Sequence, residues 1–143
     1  MDISIRKAKL KDTDAIVTLA EELGYKTTAK EVRSRLRRIS VDEREEVYVA
    51  VYKDVIGWMH ITLTEPLESK AFAEIRGIVV KKEFRGKGAG AKLIDTAVLW
   101  AKSKECKKLR IRTNIVRTDT RKYYRKRGFI SKKTQEVFEK FVK

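Results

Sequence analysis

The sequence predicts an α+β fold, a three-layer α/β structure in which helices cover both sides of a mixed, mostly antiparallel sheet. Two observations favour it. Several segments alternate apolar and polar residues, which is typical of half-buried strands, and others begin with a capping residue followed by apolar residues at helical spacing. The 143 residues are expected to form a single domain, 1–143, because no linker, repeat or low-complexity tract interrupts them.

The predicted order of elements is βααβββαβαββ. Residues 3–8 alternate and predict the first strand. A helix capped by Asp12 or Thr13 runs to about residue 23, and Thr28 begins a capping box before a second helix. The later elements are strands at 47–51, 55–63 and 72–80, a helix at 91–103, a strand from 109, a helix from Thr118 or Asp119 to Gly128, and closing strands at 129–130 and 137–142. The helix at 91–103 is apolar almost all round and is expected to be buried.

Composition excludes several classes of protein. The longest apolar runs fall well short of the ~18 residues that a membrane-spanning helix needs, so no membrane partner is expected. The lone Cys106 excludes an internal disulfide and fits a reducing, cytoplasmic location. With one His and one Cys, no metal site is expected.

The positive charge is concentrated in the second half of the chain. The formal net charge is +15, and residues 85–127 contribute +12 of it, from 15 Lys and Arg against three acidic residues. The first 84 residues carry only about +1. This distribution indicates a region that faces an anion, and nucleic acid is the first partner to consider.

A basic, glycine-rich loop at 85–90 lies between an apolar strand and a helix. Glycines at 86, 88 and 90 let backbone N–H groups converge on one point, and the helix N-terminus adds further donors. Arg85 and Lys87 add full charges, so the loop predicts a pyrophosphate site. The Walker A pattern is absent. A Rossmann site is disfavoured because the loop follows four strands and no acidic residue ends the next strand.

Arg85-Gly-Lys-Gly88-Ala-Gly90 resembles the acetyl-coenzyme A loop of the GNAT N-acetyltransferase superfamily. Tyr124-Arg-Lys-Arg-Gly128-Phe129 resembles the family's later Tyr-x-x-x-Gly-Phe motif, and the predicted order of elements is similar along the whole chain. The resemblance implies an N-acetyltransferase that moves the acetyl group of acetyl-CoA, as cosubstrate, to a primary amine within a ternary complex.

The same resemblance implies which residues bind the cofactor. Backbone amides of the loop would hold the pyrophosphate, and the preceding strand would pair with the pantetheine arm. An amide at Val79 or Ile78 would stabilise charge on the thioester oxygen. The implied cofactor-binding residues are Ile78, Val79, Val80, Arg85, Gly86, Lys87, Gly88, Ala89, Gly90 and Ala91.

The strand at 72–80 carries a signal for a β-bulge. Alternation holds through Glu74, Ile75 and Arg76 but is lost at residues 78–80, and Gly77 lies at the change. In the family such a bulge splays the sheet open for the cofactor. A fully buried strand end would give the same pattern and stays an alternative.

Two side chains are candidates for proton transfer. The resemblance implies that Tyr124 is the general acid for the leaving thiolate, while Tyr123 points about 100° away and is expected to pack inside. Glu74 lies where many family members carry the general base, although an ion-paired strand glutamate is the alternative. The family's earlier Asn and Ala on the tyrosine helix are Arg117 and Thr120 here.

Other interpretations stay open. A basic nucleic-acid- or ribosome-binding module is supported by the cations at 110–127 but is not favoured, because no helix-turn-helix, RNP or zinc signature accompanies them. A family fold that binds CoA without catalysis fits the same motifs. His60 is interpreted as a structural histidine. The acceptor amine cannot be read from the residues, and a homodimer is compatible with the family.

Overall fold

The computed structural model describes residues 1–113 and 118–143, in two compact units, Met1–Ile111 and Arg112–Lys143. The strands are β1 Ser4–Lys7, β2 Glu45–Tyr52, β3 Asp54–Thr64, β4 Phe72–Val80 and β5 Leu109–Ile111. The helices are α1 Thr13–Glu22, α2 Ala29–Ser40, α3 Ala89–Ser103 and α4 Thr118–Lys126. Short 3₁₀ turns lie at Leu10–Asp12 and Lys82–Phe84. The first unit therefore contains the whole sheet.

The five strands lie in the order in which they occur along the chain. Strands β1 to β4 pair antiparallel with their neighbours, and β5 pairs parallel with β4. This parallel pairing is short, extending from Ala73 opposite Leu109 to Ile75 opposite Ile111. The rest of β4 pairs with β3 alone among the described residues, and this geometry determines the site described below.

Two hydrophobic cores lie on opposite faces of the sheet. On one face, Leu93 and Ala97 of α3 pack against Met59, Ile61 and Ile75 of the sheet, all at most 3% exposed. The other face is covered by α1 and α2, whose buried residues contact Val47 and Val49 of β2. Those helix residues are Ile16, Val32, Leu36 and Ile39. Helices on both faces of a mostly antiparallel sheet confirm the predicted fold class.

A partly buried ion pair attaches the first strand to the turn that leads into α1. The Arg6 guanidinium donates two hydrogen bonds to Asp12, at 2.8 and 2.9 Å, and the Lys9 backbone N–H donates a third at 2.8 Å. The Asp12 side chain is 4% exposed. The hydrogen bonds from Arg6 hold the pKa of Asp12 below its ordinary value, although burial opposes this shift.

The structure corrects the prediction that the helix at 91–103 is buried all round. Helix α3 begins two residues earlier, and its inner face is buried at Leu93 and Ala97. Its outer face exposes Val98 by 37% and Leu99 by 65%. One face of this helix rests on the sheet, and no described element covers the other, so apolar composition alone overstated its burial.

The two predicted closing strands are also absent. Residues 127–143 follow α4 without regular secondary structure, and the apolar side chains of the predicted strands are at least 80% exposed at Ile130, Val137, Phe138, Phe141 and Val142. Apolar alternation makes a strand only where a neighbouring strand supplies hydrogen bonds and a core face. These segments have neither among the described residues.

Candidate active site

Strand β4 contains a bulge immediately before Gly77. In the pairing with β3, His60 lies opposite Gly77 and the next residue, Ile61, lies opposite Ile75. Arg76 is therefore the extra residue, which confirms the bulge interpretation over a regular buried strand end. A Cβ atom on Gly77 would lie 3.0 Å from the Trp58 ring, so this position favours glycine because the ring packs directly over it.

Beyond the bulge, one edge of β4 carries no strand partner among the described residues, because the pairing with β5 ends at Ile75. The Lys81 N–H donates to Ile56 O at 2.7 Å. Residues that hydrogen-bond to the neighbouring strand recur at every second position of an antiparallel ladder. Val79, two residues before Lys81, therefore also directs its backbone N–H and C=O towards β3. Ile78 and Val80 direct theirs to the open edge. Of the two amides predicted to face a thioester, the geometry favours Ile78.

The open edge leads directly into the glycine-rich loop. Arg85 folds back over the end of the edge, where its Nε donates to Val80 O at 3.2 Å. Gly86 and Gly88 then adopt φ of +76° and +98°, which L side chains rarely adopt. A Cβ at either glycine would meet no atom within 4 Å, so the loop opens onto free space on that side.

Helix α3 begins inside the predicted loop, with Gly88 as its N-cap. The N–H of Lys92 donates to Gly88 O at 3.1 Å as the first intrahelical bond. The amides of Ala89, Gly90 and Ala91 precede it and have no helical acceptor. Ala89 is 1% exposed and anchors this turn in the core. The loop and the first turn therefore present backbone donors and exposed Arg85 and Lys87 side chains, as a pyrophosphate site requires.

Glu74 is buried in β4, on the face opposite α3. It is 2% exposed, and its Oε1 accepts hydrogen bonds from Arg76 NH1 at 3.1 Å and Thr64 Oγ1 at 3.4 Å. The ion pair joins two residues of the same strand, so the ion-paired glutamate considered as an alternative is observed. Arg76 and Thr64 are the residues of this network that the sequence analysis missed; the i, i+2 spacing of Glu74 and Arg76 was the available signal.

Tyr124 lies in the last turn of α4, within the second unit. Its ring is half-buried and makes edge contacts with Tyr123 and Phe129, each with ring centroids 5.6 Å apart. The N–H of Phe129 donates to Tyr124 O at 3.1 Å, so the Gly-Phe segment folds back onto the helix end. Tyr123, expected to pack inside, is 38% exposed, with Arg127 over its ring.

The remaining candidates have structural surroundings or lie outside the described residues. His60 Nε2 lies 2.9 Å from Glu45 Oε1, which is the partner that a structural histidine needs. Burial raises the pKa of the Cys106 thiol, and the charge of Glu65 adds to the shift. Arg117, which replaces the family's Asn, lies outside the described residues.

Residues 1–113 and 118–143 contain no group of three or more potential metal ligands. Within the same ranges, no helix is long and apolar enough to cross a membrane.

Comparison with known proteins agrees with this geometry. A model of the acetyltransferase (GNAT) family matches residues 13–129. The chain belongs to the acetyltransferase (GNAT) family, and this match confirms the resemblance found in the sequence. No curated protein matches the chain.

Solved structures with the same fold include enzymes of this family. AAC(6')-Iy, in complex with the bisubstrate analog CoA-S-monomethyl-acetylneamine, is 18% identical with a TM-score of 0.86, over 99% of this chain and 100% of that one. Glucosamine-6-phosphate N-acetyltransferase from Arabidopsis thaliana is 20% identical with a TM-score of 0.84, over 99% and 100%. A transcriptional regulator from Bacillus halodurans C-125 is 24% identical with a TM-score of 0.83, over the same shares. At these identities the likeness shows the fold.

Proposed function

We propose that this protein is an N-acetyltransferase that transfers the acetyl group of acetyl-CoA to a primary amine by direct attack in a ternary complex. The observation that carries the proposal is the continuous surface formed by the open edge of β4, the loop at 85–88 and the first turn of α3. An unpaired strand edge, convergent amides and two cations lie in the order that pantetheine followed by pyrophosphate requires.

The cosubstrate supplies an activated acetyl group as a thioester. In this proposal the backbone N–H of Ile78 donates to the thioester oxygen and stabilises the negative charge that develops there. The backbone amides of Gly86 to Ala91 bind the pyrophosphate, and Arg85 and Lys87 contribute positive charge. The amine nitrogen bonds to the carbonyl carbon, the carbon–sulfur bond breaks, and the electron pair leaves on sulfur.

Tyr124 is proposed to give its phenolic proton to the departing thiolate. Its support is the Tyr-x-x-x-Gly-Phe motif within the matched family region and its place in the helix end that Phe129 folds against. A positioned general acid of this kind contributes about 10²–10⁴-fold to rate.

Glu74 is proposed as the base that accepts the proton from the amine. At 2% exposure, with Arg76 and Thr64 on its Oε1, the carboxylate is held within the sheet, so the proton would reach it through a water molecule. A Lys-like amine is only about 10⁻³–10⁻⁴ neutral at pH 7, which is why such a base accelerates attack.

Two measurements on the full chain test the proposal. Calorimetric titration should show acetyl-CoA binding, and an amine panel read by free thiol release should show turnover; aminoglycosides, polyamines, amino acids and N-terminal peptides cover the acceptor classes. Absence of binding would reject the proposal. Binding without turnover on any amine would favour the alternative, a family fold that binds CoA without catalysis.

A further inference from the structure

The second unit carries a large positive charge of its own. Residues 112–143 hold 11 Lys and Arg against three acidic residues, a net charge of +8. All of these cations lie outside the loop at 85–88 and the first turn of α3. Helix α4 carries four of them in nine residues, at Arg121, Lys122, Arg125 and Lys126.

The four cations of α4 form one continuous face, here called the α4 basic face. At 100° per residue, Arg121 and Arg125 share one row, and Lys122 and Lys126 share the adjacent row. Members of a row are separated by about 6 Å along the helix axis. Lys122, Arg125 and Lys126 are exposed, and no carboxylate of the described residues forms an ion pair with any of these three.

Helix α2 is also strongly basic, and two of its five cations are paired within the first unit. Arg35 pairs with Glu31 at 3.4 Å, and Arg38 pairs with Glu45 of β2. It keeps one exposed pair of like charges at i, i+4, Arg33 and Arg37, whereas α4 carries two such pairs in adjacent rows, an arrangement that destabilises a helix. Binding of an external polyanion would offset this repulsion.

We propose that the α4 basic face binds the phosphate backbone of nucleic acid without reading its bases. Two parallel rows of cations match a continuous line of phosphates better than the scattered carboxylates of a protein. A membrane surface fits poorly because α4 lacks the broad apolar face of an interfacial helix. Tyr123 is engaged by Tyr124 and Arg127, so its ring is not free to stack on a base.

Fluorescence anisotropy with a labelled 20-base-pair DNA duplex tests the proposal on the full chain. Phosphate contacts from Lys122, Arg125 and Lys126 predict that log affinity falls with log salt with a slope of about −2.7. The variant Lys122→Gln/Lys126→Gln should reduce the slope to about −0.9 and weaken binding about 60-fold at 0.1 M salt. Lys122→Arg/Lys126→Arg keeps the charge and should keep the slope. A second duplex of unrelated sequence should bind equally well.

The matched control is Arg33→Gln/Arg37→Gln on α2, which removes the same charge from exposed i, i+4 positions and should change affinity little. Equal losses in the α2 and α4 variants would overturn the proposal, because net charge alone would then explain binding. Displacement of the duplex by saturating CoA would also overturn it, since the face would then belong to the cosubstrate site. Equal competition from polyglutamate at matched charge would overturn the proposal as well, because the face would then bind any polyanion.

Discussion

Gly88 offers a direct test of the proposed pyrophosphate site, because its replacement separates backbone strain from ligand binding. Its φ of +98° lies well outside the conformations that alanine prefers, and an added Cβ would meet nothing within 4 Å. The change Gly88→Ala therefore introduces strain without a steric clash. Residues other than glycine lose about 1–2 kcal/mol in left-handed conformations, and this angle favours the upper part of that range.

The expected loss of thermal stability follows from the size of the chain. An unfolding entropy of about 2.1 cal/mol/K per residue gives about 0.3 kcal/mol/K for 143 residues. A strain of 1–2 kcal/mol should then lower Tm by roughly 3–7 °C. If the strain is relieved by a rotation of the backbone, the amides at the start of α3 turn away from the loop. A single lost hydrogen bond to a charged group contributes about 1.5–3 kcal/mol, so acetyl-CoA binding should weaken at least 10-fold.

Gly24 supplies a matched control. It follows α1, has φ of +86°, and its added Cβ would also meet nothing within 4 Å. Gly24→Ala should lower Tm by a similar amount but leave the Kd for acetyl-CoA unchanged. Calorimetric titration and a thermal melt of each variant make the comparison. If Gly88→Ala lowers Tm by much less than Gly24→Ala, the strain has been relieved by a rotation of the backbone. Acetyl-CoA binding as tight as that of the parent protein in that case would mean that the loop does not hold the pyrophosphate, and the reasoning would be refuted.

Further predictions concern catalysis and stability. Tyr124→Phe should lower kcat about 10²–10⁴-fold with little change in KM for acetyl-CoA, and an unchanged kcat would exclude it as general acid. Glu74→Gln should lower the rate most at neutral pH, where the amine is mostly protonated and needs a base. An equal fold-loss of rate at every pH would instead indicate that Glu74 positions other groups. Leu93→Ala should destabilise the fold by about 2.7–5 kcal/mol, against about 0.5 kcal/mol for the exposed Leu99→Ala in urea unfolding. Asp12→Ala should cost about 2–3 kcal/mol at pH 7, because its charged hydrogen bonds are lost while the partly exposed Arg6 regains water. Since the native pKa of Asp12 is below its ordinary 3.8, this contribution is complete at neutral pH and disappears as the pH falls below that value, so the two urea curves should converge in acid.

The sequence was informative wherever a local pattern determines local structure. Thr28 caps α2 as predicted, with Glu31 N–H donating to Thr28 Oγ1 at 3.1 Å, but the Glu31 carboxylate accepts from the Thr28 hydroxyl and not from the backbone N–H that a full capping box uses. The loss of alternation at Gly77 indicated the bulge, and the glycines at 86 and 88, which were predicted to let backbone amides converge, lie in a loop where both adopt positive φ. Each of these features depends on a few neighbouring residues, which is why it could be predicted.

Features that depend on distant partners could not be predicted in the same way. Which amide of β4 faces the open edge depends on the hydrogen bond between Lys81 and Ile56. Exposure of Leu99 depends on what else covers α3, and a strand at 137–142 would need a neighbouring strand. Burial of Glu74 depends on Thr64 across the sheet as well as Arg76 on its own strand. None of these partners can be read from the local pattern.

The open edge of β4 also has a consequence for handling the protein. The N–H and C=O of Ile78 and the N–H of Val80, which have no strand partner among the described residues, form a template on which a strand from another molecule can pair, the usual first contact in aggregation. An occupant that lies along this edge removes the template. Protein purified without such an occupant should therefore aggregate faster on storage, and added acetyl-CoA should act as a solubilising ligand as well as a substrate.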